Sequence, residues 1–484
     1  MIIIRPFKEI RRKLYPRQLH LPPLTATEPT ATEVMVGLRL FPLLPATPQS
    51  LLEARIKASL TRLIGVGGPN SRKTGVNAVG DLSVDSPKVA FLYATFPRPT
   101  ETFVRRELTA LWAIGAEITP ISVWRGDDTF EGRKIDRFRL CELWSLLFWL
   151  PYWVVLRPQA FREVLGELWN RPCRSVQNWN ETFLGLGFAL VRAHEMKRRG
   201  YELCHAVWAT MPATAALALK KLVGIEYSMG AHAYDVFRGH GDWLLERKLR
   251  EAAFVRTSSV STERRLSSLG LPSEKLKLVR RGLSKWPSVT ERESFASPIQ
   301  ILSVGRLVPK KGYFEQLSIL RALCDAGIEF EARIVGGGPL RDKLERECDR
   351  LGLADCVTFL GALPEVEAHA LFSESDVFLF TGKVAPDGDR DGLPNVIPEA
   401  MSAGVVVIAS PNGGAGEALE EGVTGFVRDP HRTDQWVELI QGLVATPEKV
   451  ISLRKTAADA ARIRFDVKRT ARELFANLVG VCKE

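Results

Sequence analysis

From residue 88 onward, short apolar runs of strand length alternate with segments whose apolar residues recur at helical spacing. The run 89–94 reads as a strand that Phe96-Pro97 ends. Residues 100–103 then open a helix with Val104, Leu108 and Leu111 on one face and Gly115 as its stop. A second strand follows over 117–123. The rhythm resumes after Tyr201 with strand 203–208, helix 212–222 and strand 225–229, then strands 254–258 and 276–279 around a helix over 261–269. Another series starts at 299–304 and runs through helix 313–326, strand 331–335, helix 341–351, strands 357–360 and 377–380, helix 396–403 and strand 405–408. Repeated strand–helix–strand units predict two parallel-sheet α/β domains, 88–285 and 299–465, joined by a proline-bearing linker over 286–298. A basic amphipathic helix over 467–482 fills the last segment, 466–484.

In parallel sheets, ligands gather beyond the carboxyl ends of the strands, where helix N-termini offer free N–H groups to phosphate. The loop 305–312 has that position and carries Arg306, a planar fork for a diphosphate, and Lys311, a point charge beside a helix start. The stretch 380–404 places Asp391 and Glu399 eight positions apart across a loop-to-helix junction, where carboxylates suit sugar and ribose hydroxyls. His232 follows the strand 225–229, and glycine-rich turns follow two others, Gly336-Gly337-Gly338-Pro339 and 409–417. Look-alike motifs fail on chemistry. Asp387, Asp389, Asp391 and Gly392 begin like a calcium loop, but its twelfth position is Pro398, not Glu. Arg341 stands where a dinucleotide fingerprint needs its third glycine. Gly67 to Thr74 resembles a phosphate loop, but Arg72 replaces the required glycine.

Composition adds three points. A net charge of +10 over 484 residues favours an anionic partner, and no nucleic-acid module is recognisable. Seven scattered cysteines without C-x-x-C spacing argue against a zinc site or disulfide framework and for a reducing compartment. Residues 1–87 read as a basic, Pro/Thr/Gly-rich extension with no secretory hydrophobic region. The most apolar stretch, 140–156, carries Glu142 and Pro151 and is too short to span a bilayer. Its Trp144, Trp149, Tyr152 and Trp153, followed by Arg157, Arg162, Arg171 and Arg174, fit either an interfacial patch or a buried helix pair. The helix 467–482 is a second candidate for an anionic surface.

The order G-R-L-x-x-x-K-G (305–312), G-G-G-P (336–339), D-G-L-P-x-x-x-x-E (391–399), A-M-x-x-G (400–404) and G-V-T-G (422–425) resembles the retaining GT-B glycosyltransferases of family 4. F-P-x-x-T-E-T-F-V (96–104) and A-H-A-Y-D (231–235) are similar to the exopolysaccharide, colanic-acid-type branch. The resemblance implies two facing Rossmann-like domains with the last helix crossing back to the first. It implies transfer of a sugar, with retention, from a UDP- or GDP-sugar to a saccharide acceptor, lipid-linked and presented at the inner face of the cytoplasmic membrane. No metal and no cofactor are expected, fixed cations taking the metal's place. Arg306 and Lys311 would hold the diphosphate, and Asp391 would touch the transferred sugar. Gly337, Gly392, Leu393, Pro394 and Asn395 would complete the donor site, with Glu399 on the ribose. His232 would line the cleft by the reacting carbon, with Glu101 and Thr102 on the acceptor side. Departures are Asp391 for the commoner Glu, Arg281-Gly282-Leu283-Ser284 where the family carries N-G-V-D, and Ala415-Gly416 where Ile-Pro is common. The competing reading is a GT-B-like, membrane-docked binding protein without catalysis.

Overall fold

Both series of apolar runs become sheets. The structure, a computed structural model, describes residues 86–98, 100–170, 175–289 and 293–483, so nearly all of the basic extension and Arg171 and Arg174 lie outside the described residues. The first sheet takes β1 (Val89–Thr95) and β2 (Ile118–Arg125). A small antiparallel hairpin, β3 (Thr129–Phe130) and β4 (Arg133–Lys134), stands apart before β5 (Asp136–Arg137). β6 (Leu203–Ala206), β7 (Glu226–Gly230), β8 (Val255–Thr257) and β9 (Leu276–Leu278) complete it in the order β5-β2-β1-β6-β7-β8-β9. The second sheet comprises β10 (Ile299–Val304), β11 (Phe330–Val335), β12 (Val357–Gly361), β13 (Val377–Phe380), β14 (Val406–Ala409) and β15 (Phe426–Val427), in the order β12-β11-β10-β13-β14-β15. All pairings within both sheets are parallel. Helices cover both faces, so Val89–Tyr93 and Val406–Ala409 are buried at every position, and these strands read as continuous apolar runs rather than alternating ones.

The final helix, Val467–Lys483, leaves the second sheet and returns to the first. Its Ala471, Leu474 and Leu478 pack with Leu108 and Leu111 of the helix Thr102–Ala113. Two backbone bonds fasten the crossing, Leu283 N–H to Phe465 O at 2.6 Å and Val467 N–H to Leu283 O at 3.0 Å. A Cβ on Gly282 would lie 2.3 Å from Val467 Cα, so this approach demands glycine. The apolar face of the last helix is thereby consumed, which corrects the expectation that it lies on a membrane.

Residues 140–198 hold more helix than their pattern disclosed. A 3-10 segment Leu140–Ser145 leads into Leu146–Leu156, then Pro158–Asn170 and the long Val176–Arg198. Among the described residues no single helix is long and apolar enough to cross a membrane, and the pair Leu140–Leu156 and Pro158–Asn170 is bent by 105°. The apolar stretch is divided between core and surface. Trp153 is core, 1% exposed, its indole N–H bonded to Leu190 O at 2.9 Å. Around it Trp144 (76%), Leu147 (80%), Val155 (82%) and Trp169 (91%) face solvent.

One buried ionic cluster ties together separate pieces of the first domain. Glu107, on the helix Thr102–Ala113, receives Arg256 at 2.6 Å and Arg281 at 2.6 Å, and all three are about 5% exposed or less. Burial pushes the Glu107 carboxyl up, but the two guanidiniums outweigh it and hold it at about 2 against an ordinary 4.5. A depressed carboxyl stabilises the fold above its free value and loses that contribution as pH falls through its folded one. The tie is therefore at full strength above about pH 4.5 and lost toward pH 2. Glu107→Gln strands two buried cations and is expected to cost about 3–5 kcal/mol, read as a lower urea midpoint at pH 7. An unchanged midpoint would remove the cluster from any structural role.

Candidate active site

The carboxyl ends of β1, β7, β10 and β13 all open on one cleft of about 1500 Å³ between the two sheets. Glu101, Thr102, His232, Arg306, Lys311, Asp391, Gly392, Leu393, Pro394, Asn395 and Glu399 all line it. Gly337 does not: its carbonyl accepts from Leu307 N–H at 2.9 Å, holding the glycine-rich turn against the neighbouring loop.

Charge is concentrated on the wall formed by the second sheet. Lys311 Nζ lies 2.7 Å from Asp391 Oδ2. The buried Lys310 lies 3.1 Å from Asp389 and 3.4 Å from Asp391. Burial would raise the Asp391 carboxyl, yet Lys311 and Lys310 hold it below the usual carboxylate range. Arg306 is exposed in the cleft and forms no ion pair among the described residues. Asp387, the remaining carboxylate of the aspartate-rich loop, reaches across to Arg238 at 3.1 Å.

His232 is held as a neutral ring. Arg281 Nη2 stands 2.9 Å from its Nε2, and a guanidinium only donates, so Nε2 accepts and the ring proton sits on Nδ1. Burial, with Arg281 and Arg256 adding to it, keeps the imidazole pKa well below its ordinary value. Nδ1 is buried without a partner. The His232 amide donates to Asp235, and its carbonyl accepts from Thr262 Oγ1 at 2.7 Å. The group is thus a fixed N–H donor rather than a base. On the same wall, burial raises the Glu101 carboxyl and Arg98, 3.0 Å away, opposes that.

Several contacts that the sequence reading missed close the cleft from opposite walls. Arg106 Nη2 lies 2.6 Å from Glu399 Oε1, with Thr102 Oγ1 at 3.2 Å from the same nitrogen. Glu399 is in the first turn of the helix Val396–Ser402, and His369 Nε2 is 3.9 Å from it. The amides of Val260 and Ser261 both donate to Glu417 at 2.7 Å, so the departure at Ala415-Gly416 precedes a carboxylate that caps the helix Val260–Ser268 across the cleft. A Cβ on Gly392 would stand 2.7 Å from His232 O, so the two walls touch there through bare backbone. Arg106, Arg281 and Glu417 carry no local sequence signal, because each acts on a partner more than 40 residues away.

Residues 287–462 match the family described as Glycosyl transferases group 1. The chain is 27% identical over 361 residues to the amylovoran biosynthesis glycosyltransferase AmsK of Erwinia amylovora, covering 70% of this chain and 86% of that protein. It is 26% identical over 362 residues to the putative colanic acid biosynthesis glycosyltransferase WcaL of Salmonella typhimurium, with the same shares. In structure it is similar to Anabaena HepE in complex with UDP, with a TM-score of 0.57 at 19% identity over 81% of this chain and 100% of that one. Sucrose-phosphate synthase of Thermosynechococcus elongatus superposes with a TM-score of 0.60 at 16% identity, over 81% and 99% of the two chains. The two-sheet architecture is that of the GT-B fold, and the matched domain with these relatives supports a glycosyltransferase of the exopolysaccharide kind.

Proposed function

We propose that this chain is a retaining, family 4 glycosyltransferase that moves a sugar from UDP- or GDP-sugar to a lipid-linked saccharide acceptor in exopolysaccharide or cell-surface glycan synthesis. The observation that carries this is the free guanidinium of Arg306 beside the Lys311–Asp391 pair, with Glu399 at the following helix start. In this reading Arg306 and Lys311 neutralise the diphosphate as it leaves, and Asp391 accepts from a hydroxyl of the sugar. Glu399 accepts from the ribose hydroxyls once Arg106 releases its carboxylate. His232 offers Nδ1–H to the sugar. The acceptor oxygen attacks C1 on the face that the phosphate leaves, and the acceptor proton passes to the departing phosphate oxygen. The non-catalytic alternative is not favoured, since the relatives named above are glycosyltransferases.

The acceptor's lipid explains the apolar helices. Glu142 is taken up by Arg192 at 2.7 Å, Glu163 by Arg247 at 2.6 Å and Glu167 by Arg247 at 3.1 Å. Arg157 and Arg162 remain exposed, so the aromatic surface faces outward with a positive bias that suits anionic headgroups. Leu140, Leu143, Leu146, Trp179 and Phe183 also line the cleft, so the apolar surface runs into it. In this reading the chain attaches peripherally at the cytoplasmic face.

Arg306→Ala and Lys311→Ala should each weaken UDP or GDP binding by about 1.5–3 kcal/mol, one charge-assisted contact, in calorimetric titration. Unchanged affinity in both would end the phosphate assignment. Transfer should survive EDTA, because lysine and arginine supply the positive charge at the leaving group, and a strict requirement for added divalent ion would count against the reading. In flotation, more protein should rise with anionic than with neutral liposomes, with loss at high salt. Trp144→Ser with Trp169→Ser should reduce flotation and spare nucleotide binding, whereas Trp153 is unsuitable because it is core. Protein that stays with the aqueous phase beside anionic vesicles at low salt would refute attachment.

A further inference from the structure

Glu399 is the carboxylate assigned above to the donor's ribose, yet one of its oxygens is already taken from across the cleft. Arg106 Nη2, on the helix Thr102–Ala113 of the first domain, stands 2.6 Å from Glu399 Oε1. The two side chains are 11% and 10% exposed, so the carboxylate is compensated away from bulk water. His369 comes no closer than 3.9 Å to the same oxygen, which leaves Arg106 as its principal cation. Glu399 lines the cleft, whereas Arg106 approaches it from behind the lining. The grip of the guanidinium is partial. Its bonds to Glu399 and to Thr102 Oγ1, the latter at 3.2 Å, both leave from Nη2, and its buried Nε has no partner. A forked guanidinium–carboxylate pair would use two nitrogens and both oxygens. A one-cornered contact compensates the buried charge with less strength, so a ligand that brings two adjacent hydroxyls can replace it.

We infer that Arg106 is a gate on the donor site, neutralising Glu399 until the two ribose hydroxyls of a nucleotide displace it. Competition of this kind lowers the apparent affinity by the fraction of molecules whose carboxylate is free. Arg106 therefore sets how tightly a donor binds without touching the donor itself. It acts through Glu399 and meets no reacting atom, so it is a positioning residue. Because the partners stand on different domains, the exchange also undoes one of the charge-assisted ties across the cleft. The pair Arg238–Asp387 and the bonds from the Val260 and Ser261 amides to Glu417 stay in place. The inference rests on the donor reading of Glu399 given above.

The test is calorimetric titration of the full chain, Arg106→Met and Arg106→Gln with UDP, GDP and their 2′,3′-dideoxy analogues. Whichever ribonucleotide binds should bind Arg106→Met about ten-fold more tightly than the parent chain. Arg106→Gln, whose amide keeps a weaker bond to Glu399, should show a smaller gain in the same direction. Both changes are opposite in sign to the losses expected at Arg306 and Lys311. The dideoxy analogue, which has no hydroxyls to offer Glu399, should bind all three chains alike. A gain of affinity is not what a loosened fold produces, and the second variant serves if the first does not fold. The gate is overturned if ribonucleotide affinity is unchanged or weaker in the variants, or if the dideoxy analogue gains as much. Ribonucleotide binding without a gain sinks the gate and leaves the transferase reading standing. Failure of all three chains to bind either ribonucleotide sinks that reading, and the gate with it.

Discussion

A single carboxylate shared by two buried guanidiniums underlies the arrangement of the cleft. Glu107 sits on the first helix, Arg256 on β8 and Arg281 just past β9, so their contact locks three separate pieces of the first domain together. One negative charge against two positive ones leaves the cluster cationic. Burial, aided by the neighbouring Arg256, draws Arg281 down to about 10, and the Arg281 guanidinium forbids a proton on the adjoining His232 Nε2. The same interaction that stabilises the domain therefore sets the tautomer of a cleft residue. It also places Arg281 over the Phe103 ring, one residue before the glycine that lets the last helix cross back.

The cleft walls meet through polar and backbone contacts rather than an apolar seam. Arg106–Glu399, Glu417 on the helix Val260–Ser268, and Arg238–Asp387 each join the two sheets' domains with a charge-assisted bond. Such bonds exchange readily for bonds to a hydroxyl-rich or phosphate-bearing ligand, whereas an apolar seam would not. Glu399 belongs to both the fold and the site: it holds the walls together through Arg106, and it stands at a helix start facing the cleft.

Large exposed apolar groups are ordinarily scattered, and contiguous ones mark an interaction surface. Here they cluster on two short helices bent by 105° and on the start of a third, with the acidic side chains between them neutralised from the core side. Trp153 and His194 stack beneath this surface and fix it rigidly on the first domain. The platform is therefore built, not frayed.

The alternation of apolar runs sufficed for the longer strands of each series, though not for β3, β4, β5 and β15 or for the order of strands in either sheet, and for the loops that carry Arg306, Lys311, Asp391 and Glu399, because buried parallel strands and helix starts leave local signatures. The same local signatures did not reach the helices Pro158–Asn170 and Val176–Arg198, whose outward faces are apolar or mixed and so blur the helical period. Nor did they separate Trp153, which is core, from Trp144, which is surface, since composition is the same on both sides of a helix that is apolar all round. The last helix looked like a surface binder by its own pattern, whereas the family resemblance implied that it crosses back, and its docking against Leu108 and Leu111 agrees with the latter. The roles of Arg106, Arg281 and Glu417 are products of contacts far apart in the chain. Sequence by itself determined which groups stand at the strand ends. Tertiary packing alone decided which charges they face, because pairing energy depends on distance and burial, and neither is written in local order.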